Sequence, residues 1–209
     1  MADRIELSQG AGGSETESFI KKHILPRFHQ AGMEVPLQAL DDAAVVDGVV
    51  FTTDSHTVQP LFFPGGDIGS LAVAGTINDV AVMGAEPTAL SAAMIIEEGL
   101  PFDTIERTLD SMASCARDAG VPIVTGDTKV LEHGALQEMI ITTAGIGRAS
   151  DALQRNMRQL NRDAAWLRDN ALQPGDMIIL SGYIADHGIA LLSFREGYGF
   201  ETEITSDVA

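Results

Sequence analysis

Apolar residues run almost unbroken through positions 71–85, LAVAGTINDVAVMGA, and a single polar pair, Asn78-Asp79, interrupts them. Asp67 can cap this run as a helix reaching about Met83, because its side chain can accept from the first free backbone N–H groups. Upstream, Ser14-x-x-Glu17 has the form of a capping box ahead of Phe19, Ile20, Ile24 and Leu25, which predicts a helix stopping near Gly32. Between these helices lies AVV-Asp47-Gly48-VVFTTD, an Asp-Gly dipeptide between valine-rich runs and hence a two-residue hairpin. That turn sets a register in which Val46 faces Val49, Ala44 faces Phe51 and Asp41 falls opposite Asp54. Carboxylates paired across strands repel, so the open end of the hairpin either holds a cation or frays.

Pro64-Gly65-Gly66 ends the extended segment, and residues 88–97 read as a strand. Residues 101–120 form an amphipathic helix with Gly120 as its stop, followed by a short buried strand at 121–125. A strand at 137–148, another at 176–181 and a helix at 187–196 complete the pattern. Leu153, Met157, Leu160, Ala164 and Leu167 recur at helical spacing, and Arg155, Arg158 and Arg162 share one face of that helix, with Arg148 and Arg168 at its ends. A solvated face explains those arginines, and a docking surface for an acidic partner is the alternative. Strands alternating with helices, plus one hairpin, predict a mixed α/β or α+β layer fold.

The chain has 209 residues, 45% of them hydrophobic, enough for one domain or somewhat more. Its net charge of −17 makes nucleic acid and anionic membranes poor partners. An anionic small molecule can still bind through Mg²⁺, a hard cation that takes carboxylate and phosphate oxygens. Cys115 is the only cysteine, which excludes an intrachain disulfide and a cysteine zinc cluster. The opening MADRIELSQG has no apolar signal region and no apolar run of about 18 residues follows, so a cytoplasmic protein is expected.

Composition narrows the candidate chemistry to the carboxylates. An ionised Asp79 buried without a partner costs several kcal/mol, so it asks for a cation or a dense hydrogen-bond shell. Asp41-Asp42, Asp54 and Asp127 are the other acidic candidates, and together they suggest a divalent-metal site. A P-loop and a dinucleotide fingerprint are both absent. Gly10 to Gly13 ahead of a capped helix can cradle phosphates on backbone N–H groups or serve as a flexible lead-in. Thr125-Gly126-Asp127-Thr128-Lys129 places a carboxylate, a hydroxyl and an ammonium at a strand end, where ligands of α/β folds bind, and an ordinary polar turn would look the same. Asp186-His187 holds either an acid–base group or a helix cap beside a structural histidine. Read residue by residue, the chain is a Mg²⁺-dependent enzyme of a phosphorylated ligand.

Five strings then coincide: GAGGSETESFI, DDAAVV, FTTDSHTVQPLFFPGGDIGSLAVAGTINDVAVMGAEP, IVTGDTKV and SGYIADHGIALLSFREG. Together they resemble the HypE family of hydrogenase maturation proteins, within the superfamily of aminoimidazole ribonucleotide synthetase and selenophosphate synthetase. The resemblance runs from about Ile5 to Ala209. It implies an N-terminal α/β domain whose mixed sheet, with helices on one face, joins that of a twin into a barrel, and ATP bound near the interface. It also implies a reaction: a carbamoyl group received on a C-terminal cysteine from HypF is dehydrated with ATP to a thiocyanate. The cyano group then passes to iron on the HypC–HypD complex.

Carried onto this chain, Asp42, Asp54, Asp79 and Asp127 match positions expected to hold Mg²⁺ and the ATP phosphates. Asn78 and Thr128 support them, Lys129 matches a lysine near the reacting group, and Gly12-Gly13 belong to a segment that closes over the nucleotide. The implied organisation is an ATP-binding domain over 1–150, an Arg-rich helix and linker over 151–170, and the start of a truncated second domain over 171–209. Family members continue to a terminal cysteine that this sequence does not contain. Two alternatives stand beside this reading: a non-catalytic dimerisation or scaffold module, and a paralogous ATP-dependent synthetase or kinase.

Overall fold

The computed structural model describes residues 4–28, 32–160, 165–180, 182–198 and 204–208; Arg162, Ala164, Ser181 and Ala209 lie outside the described residues. The first helix, α1 (Gly13–Phe19), starts at an N-cap Gly12 with φ of 83°. No side-chain cap forms there, so the expected Ser14/Glu17 box is not made; Ser14 already lies inside the first turn. The helix continues as a π turn (Ile20–Ile24) and a 3₁₀ turn (Leu25–Arg27), and it ends at Phe28 rather than Gly32. Pro26 explains the early stop, since it has no N–H to extend the helical ladder.

The hairpin forms in the expected register. β1 (Ala44–Val46) pairs with β2 (Val49–His56), Val46 against Val49 and Ala44 against Phe51. Asp47 and Gly48 both have positive φ, as a two-residue turn of this hand requires. The ladder stops at Ala44, so Asp41 never comes opposite Asp54. A small hairpin, β3 (Phe62–Phe63) and β4 (Gly66–Asp67), leads into α2 (Ile68–Val82). Asp67 caps α2 as expected, accepting from Gly69 and Ser70, while Ser70 returns a bond to Asp67 N–H.

β5 (Ala85–Glu97), α3 (Phe102–Asp118), β6 (Ile123–Leu131) and β7 (Met139–Ala149) follow. They complete a five-stranded sheet in the order β1-β2-β7-β5-β6, antiparallel except for the β5–β6 pair. This is the mixed α/β layer that the sequence predicts. α2 lies so close to β7 that a Cβ at Gly145 would sit 2.9 Å from Thr76 Cγ2 and 3.1 Å from Val80 Cγ2. One core joins Ile68, Val73 and Met112 of the helices to Leu90 and Ile141 of the sheet. A second gathers Val35, Val45, Val50, Val80, Met83 and Trp166.

α4 (Asp151–Leu160) buries Leu153 against Gly84, and α5 (Asp186–Glu196) packs on β3. No strand forms over the described part of 176–181. Met177, Ile178 and Ile179 are 88%, 89% and 89% exposed, so this extended apolar segment has no sheet to join among the described residues. No described helix is long and apolar enough to cross a membrane.

Candidate functional site: a carboxylate cluster around Thr52

β2 alternates, sending Val50, Thr52 and His56 toward α2, and buried Thr52 is the hub of the site. Its hydroxyl lies 2.9 Å from the carbonyl oxygen of Asp42 and 3.0 Å from Oδ2 of Asp79. Asp54, two residues along the strand, turns to the same side, with Oδ2 3.5 Å from Nε2 of buried His56. Gly75, one helical turn before Asp79 on α2, leaves room for the His56 ring; a Cβ there would meet His56 Cε1 at 3.2 Å. His56 Nε2 also lies 3.1 Å from Thr143 Oγ1, which in turn contacts Thr76.

The electrostatics of this cluster are unfavourable to its own charges. Burial pushes the Asp79 carboxyl from 3.8 up to about 6; the Thr52 hydrogen bond opposes that, and the Asp54 and Asp42 carboxylates add to it. For His56, burial lowers the pKa and outweighs the pull of Asp54. Among the described residues no group of three or more acidic, histidine or cysteine side chains stands ready to hold a metal ion. Asp42, Asp54 and Asp79 therefore couple electrostatically without forming a closed cage. That suits Mg²⁺, which keeps several waters and takes one or two carboxylates together with substrate phosphates.

A cavity of about 790 Å³ opens beside the cluster, lined by Asp41, Asp42, Thr52 and Thr53 on one side and by Gly13 and Thr16 of α1 on the other. Its volume falls within the range of small-molecule sites. Gly13 reaches it, whereas the N–H of Gly12 is taken by Thr16 Oγ1 at 2.9 Å. Asp41 is committed elsewhere: its side chain is 2% exposed and accepts from Nε of Arg168 at 2.8 Å. Asp42 is exposed beside it.

The remaining candidates stand apart. Asn78 is exposed on α2. Asp127, Thr128 and Lys129 lie within β6 and not at a strand end, because the strand runs through this polar string to Leu131. Gly126 permits that course, since a Cβ there would fall on the carbonyl oxygen of Ala92. In register, Asp54 pairs with Thr143, Thr143 with Ala92, and Ala92 with Gly126. Asp127 is thus three strand spacings from Asp54, roughly 14 Å at about 4.8 Å per step. Pairing with Ala93 and Ile95 also puts Asp127 and Lys129 on the sheet face away from α2. A larger cavity, about 1130 Å³ between α3 and β6, touches Asp127 and Thr128 but is otherwise lined mainly by apolar residues such as Met94, Met112 and Val124. The cluster around Thr52 is the better site because Asp42 and Asp54 both act electrostatically on Asp79 there.

Residues 40–149 match the family described as AIR synthase related protein, N-terminal domain. The chain belongs to that family. The match takes in the hairpin, α2 and the strands β5 to β7, and so Asp41, Asp42, Asp54, Asp79, Asp127 and Lys129. Within the AIR synthase related family the likeness is to HypE along nearly the whole chain. The carbamoyl dehydratase HypE of Rhizobium leguminosarum bv. viciae is 49% identical over 210 residues, 99% of this chain and 55% of the relative. A HypE solved in complex with ATP superposes with a TM-score of 0.69 at 43% identity, over 97% of this chain and 57% of that one. A HypE–HypF complex gives a TM-score of 0.78 at 42% identity, over 91% and 57% of the two chains. The chain spans a little over half the length of the relatives it matches.

Two members of the site escape sequence reasoning. Thr52 sits in FTTD, and its inward direction follows from the hairpin register combined with strand alternation, so a signal for it existed. Arg168 and its neighbour Trp166 lie outside the span matched by the AIR synthase related family, and nothing local marks them.

Proposed function

We propose that this chain is the Mg²⁺- and ATP-binding part of a HypE-like carbamoyl dehydratase. The protein would act in the cytoplasm, dehydrating a protein-borne S-carboxamide to a thiocyanate for hydrogenase maturation. The tie of Thr52 to the Asp79 carboxylate and the Asp42 backbone, with Asp42 and Asp54 acting electrostatically on Asp79 at the margin of a nucleotide-sized cavity, carries this reading. Asp42, Asp54 and Asp79 would hold the ion, with Thr52 orienting Asp79. Mg²⁺ would neutralise charge on a transferring phosphoryl group. Phosphorylation of an amide oxygen turns it into a leaving group, and the Lys129 ammonium would stabilise the negative charge that develops. Gly12, Gly13, Asn78, Asp127 and Thr128 would contact the nucleotide, Asp127 sharing the metal. HypF would supply the carbamoyl group and HypC–HypD would receive the cyanide.

One copy of the chain leaves Lys129 and Asp127 three strands from Asp54, and a pair of copies would shorten that distance. β1 covers only Val49–Phe51 of β2, so among the described residues the second half of β2 has a ladder on the β7 side alone. Among the described residues, β6 likewise pairs only with β5. Pairing β6 of one copy with β2 of another covers both edges, which otherwise invite uncontrolled association. The same step covers the exposed Phe51 and Ile146 on the open sheet face and lays β6, which carries Asp127 and Lys129, alongside the strand that carries Asp54 in the other copy. Cys115 does not serve as the carbamoyl acceptor: it lies within α3, and burial, then Asp118 and Asp67, push its thiol pKa up.

Calorimetric titration with ATP, with and without Mg²⁺, beside sedimentation of the same sample, tests the proposal. The expected result is Mg²⁺-dependent binding by a dimer. A folded dimer that ignores ATP would leave a scaffold module, and a monomer with full Mg²⁺-dependent affinity would rule out the two-copy site.

A further inference from the structure

Three consecutive residues after α4 fasten onto three different parts of the N-terminal layer. Trp166 is buried among Val35, Val45, Val80 and Met83, and its indole N–H donates to Glu34 Oε2 at 2.9 Å. The N–H of Leu167 donates to the carbonyl of Met83, at the end of α2, at 3.2 Å. Arg168 Nε donates to Asp41 Oδ2 at 2.8 Å, and that aspartate's side chain is 2% exposed. Asp41 is joined directly to Asp42, whose carbonyl oxygen accepts from Thr52, the residue that also meets Asp79.

We propose that Arg168 is a positioning residue for the metal and nucleotide site: by holding Asp41 in place it fixes the turn that presents Asp42 to the cavity. The inference rests on the Mg²⁺–ATP reading of that cavity. The physical reason is the burial of Asp41. A carboxylate withdrawn from water keeps its place only with a compensating partner. The arginine supplies it while Trp166, two residues earlier, anchors the arginine's backbone in the core. Without Arg168 the Asp41 side chain moves out toward water, and Asp42 and its carbonyl move with it. The segment is thus more than a tether between elements: it supplies the partner of Asp41, which lines the cavity, and Asp169, next in sequence, lines the same cavity.

The test compares this 209-residue chain with Arg168→Ala, Arg168→Lys and the double variant Arg168→Ala/Asp41→Asn. ATP affinity is measured with and without Mg²⁺, and amide hydrogen exchange is followed over residues 40–45. Loss of a group that orients a metal ligand typically weakens metal affinity about 10–100-fold. Arg168→Ala is expected to lose affinity on that scale with Mg²⁺ present, to change little without it, and to exchange faster over 40–45. Lysine keeps the charge and should restore part of the loss. The double variant has no buried unpaired charge and is expected to fold, yet remain weak with Mg²⁺ because nothing ties the turn. Wild-type Mg²⁺–ATP affinity in the double variant overturns this proposal alone. A parent chain that binds no Mg²⁺–ATP overturns the site reading, and this proposal with it.

Discussion

The Thr52 hydroxyl stands 3.0 Å from Oδ2 of Asp79, and it has one proton for two acceptors, the second being the carbonyl of Asp42. While Asp79 is ionised, that proton is divided between carboxylate and carbonyl. Once Asp79 is protonated it can donate to Thr52, and Thr52 can give its own proton wholly to Asp42. The charge state of one helix residue thereby sets how firmly the Asp41-Asp42 turn is held to β2.

Thr52→Val keeps the shape and removes the hydroxyl. Two acceptors lose their donor, and a buried polar group left unpaired costs about 1–3 kcal/mol. Urea unfolding should show a loss in that range, and Thr52→Ser should recover most of it. A valine variant as stable as the parent would mean the hydroxyl holds nothing together.

Asp79 predicts a pH dependence of definite sign. Its pKa in the fold, about 6, is above the ordinary 3.8, so the folded chain retains a proton that the unfolded chain has released. This group therefore lowers stability as pH rises from about 4 to about 6, and the full penalty persists above that window. Asp79→Asn should be more stable than the parent at pH 7, and the difference should vanish below pH 4. Each 1 kcal/mol of relief raises Tm by roughly 2–4 °C for a chain of this size. The same variant should lose Mg²⁺–ATP binding. Parallel melting curves at pH 4 and pH 7 decide the matter.

For His56, burial and the Asp54 carboxylate act in opposite directions, and burial is the larger. The unfolded chain then takes up a proton before the folded one, so this group removes stability as pH falls below the ordinary 6.5. An NMR titration of the His56 ring should give a midpoint below that value. A midpoint above it would show that the carboxylate prevails.

Gly145→Ala tests the close seating of α2 on β7. The added Cβ meets Thr76, Val80 and Leu90 at 2.9, 3.1 and 3.2 Å. Overpacking of this kind costs about 1–3 kcal/mol, and because Thr76 contacts the Thr143 hydroxyl, Mg²⁺–ATP affinity should fall with stability. Thermal melting and titration of the folded protein read the two effects separately.

Some elements were legible because their causes lie within a few residues. The Asp67 cap with its bond from Ser70, and the Asp47-Gly48 turn with its register, are local hydrogen-bond and backbone geometry, and both appear as expected. The capping box at Ser14 misled because the helix takes its N-cap two residues earlier, at Gly12. β6 was cut short at Thr125 because an exposed edge strand buries neither face, so it leaves no alternation to read, and TGDTK looks like a turn. The apolar run at 176–180 read as a strand on composition, but a strand needs a neighbour, and none of the described residues provides one.

The chain by itself determined the carboxylates, the capped apolar helix that carries Asp79 and the hairpin that carries Asp54, along with a family resemblance that the match over residues 40–149 upholds at the level of the AIR synthase related fold. Tertiary structure alone decided which carboxylates meet. It brought Asp79 to Thr52 within electrostatic reach of Asp42 and Asp54, left Asp127 and Lys129 across the sheet, and paired Asp41 with an arginine 127 positions away. The reason is physical: capping and turn geometry are fixed by neighbours in sequence, whereas the partner of a buried charge is whatever group the packed layers bring within hydrogen-bond reach.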